Sequence, residues 1–428
     1  MAELINRFGI GRMLKSQLFQ GTLIYTLSDV INKAIPFLLL PLLTTYLTPE
    51  EYGILANFNV SIALFVILCG FSSQGIINYY FFKKDRQLLN RIISGVITLM
   101  FCSEIILLAL VLLFLGNLSA LLSIPEEFIL IAVIVAIFQF VTVIHILIYK
   151  LEKKAKHVGI YQITQTLLNL GLSVFLIVYL EMDVGGRIVG IASANVLWSI
   201  FSIWAFYRRG YVKINFSRSD IREILQFGLP LIPHQIGKWF KSFGDRYVIT
   251  FLLGVSSVGI YSAALQVTSV MLVFINAFNS AYIPFLFERL EKRDQSLNVR
   301  IVKEMYCFFG LLIVGTGIYY LLIPILYDIM INEAYHSGIY LTLPLLMAIC
   351  VRGISLMITS LIIYSKNTKR LPVIMVINIA VYLILSIFVA PEYNLIGLAW
   401  LLFFIEVINL VLMWAWSNKV QRMPWQLT

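Results

Sequence analysis

A chain of 428 residues that is 60% hydrophobic and only 13% charged, with a mean hydropathy of +0.90, cannot hide its apolar surface in a water-soluble core. Its net charge of +10 would suggest nucleic acid in a soluble protein, but the basic residues sit between apolar runs, so they read as topology signals and nucleic acid is excluded as a partner. The four cysteines, Cys69, Cys102, Cys307 and Cys350, fall inside apolar runs with neither metal-ligand spacing nor a disulfide framework, and read as small core residues.

Residues 1–17 are polar and basic. The apolar run after them is too long for a cleavable signal and lacks a small-residue cleavage site, so the first helix is expected to stay in the mature protein. The runs follow in order: Leu18–Leu47, Tyr52–Phe82, Ile92–Leu115, Phe128–Tyr149, Val158–Leu180 and Ile188–Tyr207. After the polar connector Tyr207–Asp220 come Ile224–Leu253, Val258–Phe287, Met305–Tyr327, Ile339–Tyr364, Val373–Ala390 and Leu395–Trp416. Each is long enough to cross about 30 Å of hydrocarbon as a helix, and far longer than the strands of a membrane barrel. The expected fold is an all-α integral membrane protein of about twelve transmembrane helices.

Charge sets the orientation. With the N-terminus inside, the inner segments carry the basic clusters Lys83, Lys84, Arg86, Arg91; Lys150, Lys153, Lys154, Lys156; and Arg208, Arg209, Lys213, Arg218, Arg222. Later inner segments hold Arg289, Lys292, Arg293, Arg300, Lys303 and then Lys366, Lys369, Arg370, whereas the outer loops hold Arg187 alone. This bias places both termini in the cytoplasm. The connector divides the chain into residues 1–210 and 211–428, six runs each. The halves share a weak register, Leu47-Thr-Pro-Glu-Glu-Tyr-Gly-Ile54 against Leu253-Gly-Val-Ser-Ser-Val-Gly-Ile260, as a parallel repeat would.

Lys33, Lys238, Lys241, Arg246 and Arg352 fall inside the runs. A cation facing lipid costs about 2.5–3.5 kcal/mol even on the mildest scale, so these five should face a bundle interior, a wet cavity or one another. His234, Lys238, Lys241 and Asp245 share one helical stripe, and Thr22, Thr26, Asp29 and Lys33 share another. The bland readings are an Asp29–Lys33 pair that neutralises itself, snorkelling of Asp245 and Arg246, and a core histidine at His234. Against four intramembrane acids, Asp29, Glu104, Asp245 and Glu406, the cations are in excess, which suits an anionic substrate. Gln74, Asn78, Gln139, His145, Gln165, Asn169, Asn195, Gln266, Asn276 and Asn279 read as interhelical hydrogen-bonding groups or as contacts to sugar hydroxyls. Pro36, Pro41, Pro230 and Pro233 permit bends in the first and seventh runs. No phosphate-binding loop, zinc spacing or nucleophile elbow is present, so an enzyme is not expected.

The stretches Pro36-Phe-Leu-Leu-Leu-Pro41 and Tyr46-Leu-Thr-Pro-Glu-Glu-Tyr-Gly53 resemble the opening of the O-antigen and polysaccharide repeat-unit flippases of the multidrug/oligosaccharidyl-lipid/polysaccharide exporter superfamily. Phe227-Gly-Leu-Pro-Leu-Ile-Pro-His234, Gly244-Asp-Arg-Tyr247, Val258-Gly-Ile-Tyr261 and Pro391-Glu-Tyr-Asn-Leu-Ile-Gly-Leu-Ala399 are similar to later segments of that family. The resemblance implies two pseudo-symmetric six-helix bundles around a V-shaped central cavity in a bacterial inner membrane. It implies alternating-access movement of undecaprenyl-pyrophosphate-linked oligosaccharide, with membrane lipid, a polysaccharide polymerase and a chain-length regulator as partners. Lys33, Lys238, Lys241, Arg246, Arg352 and His234 would then bind substrate. Asp29 or Asp245 would couple a proton or sodium ion, with no other cofactor. The alternatives are a multidrug exporter of the same fold, which would want an acidic lumen, and a non-transporting scaffold of a polysaccharide assembly complex, which would not need the basic stripes.

Overall fold

The computed structural model describes residues 28, 30–32, 34–83, 85–211, 216–292 and 294–426. Among them the chain is helical throughout, with nine helices long and apolar enough to cross a membrane and a shorter apolar helix at Val30–Tyr46. The expected all-α membrane fold is therefore present. Asp29 and Lys33 lie outside the described residues, as do Thr22 and Thr26.

In chain order the helices are α1 (Leu40–Tyr46), α2 (Pro49–Gly70), α3 (Gln74–Phe82), α4 (Arg86–Leu113), α5 (Leu115–Leu122), α6 (Glu126–Leu151) and α7 (Ala155–Val174). They continue with α8 (Asp183–Arg208), α9 (Arg218–Gly228), α10 (Ile232–Leu253), α11 (Val255–Glu291), α12 (Gln295–Met330), α13 (Thr342–Tyr364) and α14 (Leu371–Val420). Asn394 has non-helical φ 49° and ψ −147° just after Pro391, so α14 is two spans joined by a kink. The expected single run Tyr52–Phe82 is instead two helices, because Phe71 and Ser72 take left-handed φ of 46° and 53°. The expected run Ile224–Leu253 is also divided. Its first part belongs to α9, whose Ser217 and Asp220 form a reciprocal N-terminal cap.

Two compact units partition the chain differently from the two sequence halves: residues 1–36 with 58–236, and residues 37–57 with 237–428. In the first unit, Ile76, Ile92, Ile93, Phe140, Ile144 and Phe206 pack a buried core from α3, α4, α6 and α8. Helix α9 lies against α4 through the bidentate Arg91–Asp220 pair, 2.9 Å at its shortest. Burial works to raise the Asp220 carboxyl, but the Ser217 backbone and hydroxyl donors and the Arg91 guanidinium outweigh it and hold it below the usual range. A second polar cluster ties α6 to the end of α8: Glu152 accepts from Arg209 at 3.1 Å and from the Tyr211 hydroxyl at 2.5 Å. Burial, then the neighbouring Glu152, push Tyr211 up to about 12. Arg187, assigned by the sequence to an outer loop, lies in α8 and donates to Asn169 and Ser173 of α7.

In the second unit, Ile249, Val258, Tyr261, Leu345, Leu398 and Ala399 form the core. Lipid is as apolar as these side chains, so close backbone approach at small residues holds membrane helices together better than apolarity alone. A Cβ on Gly259 would stand 1.8 Å from the Pro49 carbonyl oxygen, and one on Gly53 2.0 Å from that of Val255, so α2 and α11 meet backbone to backbone there. The Tyr335 hydroxyl adds a bond to the Leu47 carbonyl at 2.8 Å, and Asn57 Nδ2 donates to Thr250 Oγ1 at 2.7 Å.

The cysteines are of two kinds: Cys69 and Cys350 are buried, as expected, but Cys102 and Cys307 are exposed. The last two sit beside the exposed apolar Phe101 and Tyr306, on helix faces that a bilayer rather than a protein core would cover.

Candidate functional site

Helix α10 begins at Ile232, after a single 3-10 turn over Leu229–Leu231. Pro230 and Pro233 fall where the first-turn N–H groups have no intrahelical partner, so they start the helix without breaking it. The stripe His234, Lys238, Lys241, Asp245 then descends the helix and changes character on the way. His234 and Lys238 are exposed, whereas Lys241 and Asp245 are half-buried. Lys238 enters no ion pair among the described residues.

The lower half of the stripe opens on a cavity of about 40 Å³, lined by Phe240, Lys241, Asp245, Asn378, Tyr382 and Glu406. That is room for two or three waters at most, in a cavity that Ile379, Leu402 and Ile405 also line. Lys241 Nζ stands 3.9 Å from Glu406 Oε1. Glu406 Oε2 accepts from Asn409 Nδ2 at 3.4 Å, and Asn409 Oδ1 accepts from Asn378 Nδ2 at 2.8 Å. The chain of contacts therefore joins α10 to both halves of the kinked α14.

Asp245 is held on both oxygens. Tyr261 of α11 donates to Oδ2 at 2.5 Å, and Arg246 Nη1 lies 3.3 Å from Oδ1. Position alone sets Arg246 about 100° round the helix from Asp245, but the guanidinium folds back onto its neighbour. Arg352 of α13 is half-buried and repels the Lys241 ammonium, while Glu406 attracts it. Two acids thus face three cations, and one positive charge is left in surplus.

Of the sequence candidates, the structure brings Lys241, Asp245, Arg246 and Arg352 into one neighbourhood and leaves His234 and Lys238 on the exposed face. Glu406 was counted among the intramembrane acids without a partner. Asn378, Asn409, Tyr261 and Tyr382 were not singled out, although a Glu and an Asn three residues apart in an apolar run are a readable signal. What the arrangement can do is bind an anion. A phosphate oxygen reaching Lys241 would compete with Glu406 in a site of low water content, where charge interactions are strong.

A family model described as "Polysaccharide biosynthesis protein" matches residues 18–290. A protein of the Lsg locus of Haemophilus influenzae is 28% identical over 283 residues, covering 65% of this chain and 68% of that protein. A membrane protein of the same organism is 27% identical over 294 residues, with the same shares of 65% and 68%. Among solved structures, the inward-facing conformation of a multidrug resistance MATE family transporter of the MOP superfamily superposes with a TM-score of 0.69. The identity is 16%, over 93% of this chain and 94% of that one, so the likeness shows the fold alone.

Proposed function

We propose, for a chain that belongs to the polysaccharide biosynthesis protein family and has the fold of MATE-type transporters, that it is a flippase for undecaprenyl-pyrophosphate-linked oligosaccharide. It carries O-antigen or capsule repeat units across the bacterial inner membrane by alternating access. The observation that supports this reading is the charge along α10. Lys238 is exposed with no counter-ion among the described residues, one turn from Lys241, whose counter-ion Glu406 sits at the long distance of 3.9 Å. A helix in a membrane keeps unpaired cations where an anion or water meets them. A pyrophosphate supplies that anion; an organic cation, the cargo of a drug exporter, would be repelled.

In this reading Lys238 and Lys241 hold the pyrophosphate, Arg352 assists, and His234 contacts the same head group. Lys33, outside the described residues, would do so as well. Arg246 is committed to Asp245, and its part is to keep that acid neutralised. The coupling ion, a proton or sodium, was expected at Asp29 or Asp245; Asp245 already has a resident cation and a tyrosine hydroxyl, so Asp29 is the better candidate of the two.

The test is complementation of a strain deleted for this gene by Lys238→Glu. Lys238 is exposed and makes no ion pair among the described residues, so the variant should reach the membrane at the normal level. The expected result is at least a tenfold loss of surface polysaccharide, with lipid-linked repeat units accumulating inside. Full surface display would remove Lys238 from the substrate path. Transport of organic cations by the wild type, with no effect on polysaccharide, would favour the drug-exporter alternative.

A further inference from the structure

The interruption between α2 and α3 joins two apolar helices and is met by α4. Glu104, which meets the Cys69 thiol at the end of α2, stands 18 residues after Arg86 and 9 before Leu113 in α4, roughly 27 Å and 14 Å along the axis at 1.5 Å per residue. Backbone without helical bonds is tolerated at such depth only where protein or water meets its polar groups. Here Ser73 Oγ reaches the Gly70 carbonyl at 2.6 Å, and Ser103 Oγ of α4 lies 2.8 Å from the Cys69 carbonyl. The Phe71 carbonyl rests against Gly228, where a Cβ would come within 2.0 Å. Neither Phe71 nor Ser72 is a glycine, yet both are left-handed, a conformation that persists only where the surroundings impose it.

Beside this break is an acid without a counter-ion among the described residues. Glu104 is 8% exposed. Its Oε2 accepts from the Cys69 thiol at 2.7 Å, and its Oε1 is enclosed with no hydrogen-bond partner among the described residues. Ser72 Oγ, in the break itself, is likewise buried and unpartnered. The charged groups on the helices packed against α4 either have other partners or, like the exposed Arg218 and Arg222 of α9, lie toward the surface. From α9, Asp220 holds Arg91 and Glu223 accepts from Tyr80. On α6, His145 bonds Ser202, Lys150 lies at one end, and Glu126 and Glu127 lie at the other. Cys69 is the titratable side chain that faces Glu104 among the described residues. A carboxylate taken out of water with neither cation nor donor enough cannot keep its charge. A metal ion would need several oxygen ligands, and the site shows two carboxyl oxygens and a thiol.

We propose that Glu104, closed over the α2–α3 break by Cys69, is a proton-binding site of the first unit, occupied at neutral pH. A neutral acid accepts a hydrogen bond from the Cys69 thiol on its carbonyl oxygen Oε2 and carries the proton on Oε1, so no net charge is left in the enclosed site. Losing the proton places a bare charge against the strained segment. Water must then enter or the segment must move, so the site couples protonation to the shape of the break.

The test is infrared difference spectroscopy of the purified full chain in lipid nanodiscs at neutral pH. A carbonyl stretch of a protonated carboxyl should be present in the wild type and absent in Glu104→Gln. Cys69→Ala should shift that band to higher frequency, because the thiol bond is gone. No band difference between wild type and Glu104→Gln would overturn the assignment. Should Glu104→Gln fail to reach the membrane, dicyclohexylcarbodiimide, which attacks protonated carboxyls in apolar surroundings, is applied to the wild type and mapped by mass spectrometry. Label on Glu104 at neutral pH supports the proposal, and label confined to other carboxyls overturns it. Neither readout needs a substrate, so failure here leaves the flippase reading untouched, and failure of the flippase reading leaves this site standing.

Discussion

The two units treat a buried acid in opposite ways. In the second, Glu406 faces Lys241 and Asp245 faces Arg246, so each carboxylate has a cation within 4 Å. In the first, Glu104 is as deeply buried as Glu406, 8% exposed against 5%, yet among the described residues it has only a thiol donor. The lesson is that equal burial does not mean equal charge. The second unit keeps fixed charges apart by pairing them, which preserves a cationic site for an anion. The first tolerates its acid by leaving it neutral.

The largest effect should come from breaking a pair. Lys241→Met strands Glu406 in a site of low water content, and the expected loss is about 3 kcal/mol. A lowered thermal transition in detergent should register it, and Lys241→Met with Glu406→Gln should recover most of it. Equal stability of the single and double variants would mean that the 3.9 Å pair is already water-separated and carries nothing.

Next is the backbone contact of the second unit. Gly259→Val puts a branched side chain where a Cβ alone would stand 1.8 Å from a carbonyl. A loss of about 2–3 kcal/mol is expected, measured the same way. A smaller change would show that α2 moves aside freely.

A half-exposed pair of the first unit comes next. Asp220 is held below the usual carboxylate range, so its contribution to folding is complete above about pH 4 and is lost as pH falls through the lower folded value. Asp220→Asn should cost about 1 kcal/mol at neutral pH, discounted for the exposure of Arg91, and should flatten the acid side of a stability–pH curve. An unchanged curve would assign the acid sensitivity to another carboxyl.

The smallest effect sharpens the comparison most. If Glu104 is neutral, Glu104→Gln replaces one uncharged group by another and should cost no more than about 1 kcal/mol. Glu406→Gln, by contrast, should resemble Lys241→Met. Equal losses at the two positions would erase the distinction between the units.

How much of this was readable beforehand follows from the range of each interaction. The spans were legible because apolar length is a local property: Phe128–Tyr149 became α6, and Pro391 marked the kink at Asn394. The α2–α3 break was not, because the groups that meet it, Gly228 and Ser103, stand on other helices, and no glycine or proline stands at Phe71 or Ser72. The stripe on α10 was visible in its periodicity. That Lys241 would find Glu406 was not, since a separation of that size leaves no trace in helical spacing. Cys102 and Cys307 went wrong for a related reason: apolar surroundings in sequence do not tell a core face from a lipid face.

The central claim, that the chain moves an anionic lipid-linked saccharide by means of cations on α10, is tested most directly by reconstitution. Purified protein in liposomes is supplied with undecaprenyl-pyrophosphate-linked oligosaccharide, and its appearance in the opposite leaflet is followed by accessibility to a membrane-impermeant lectin. The account predicts transfer well above protein-free liposomes, reduced at least tenfold by Lys238→Glu. Transfer at the protein-free rate, or a rate indifferent to Lys238→Glu, would contradict it.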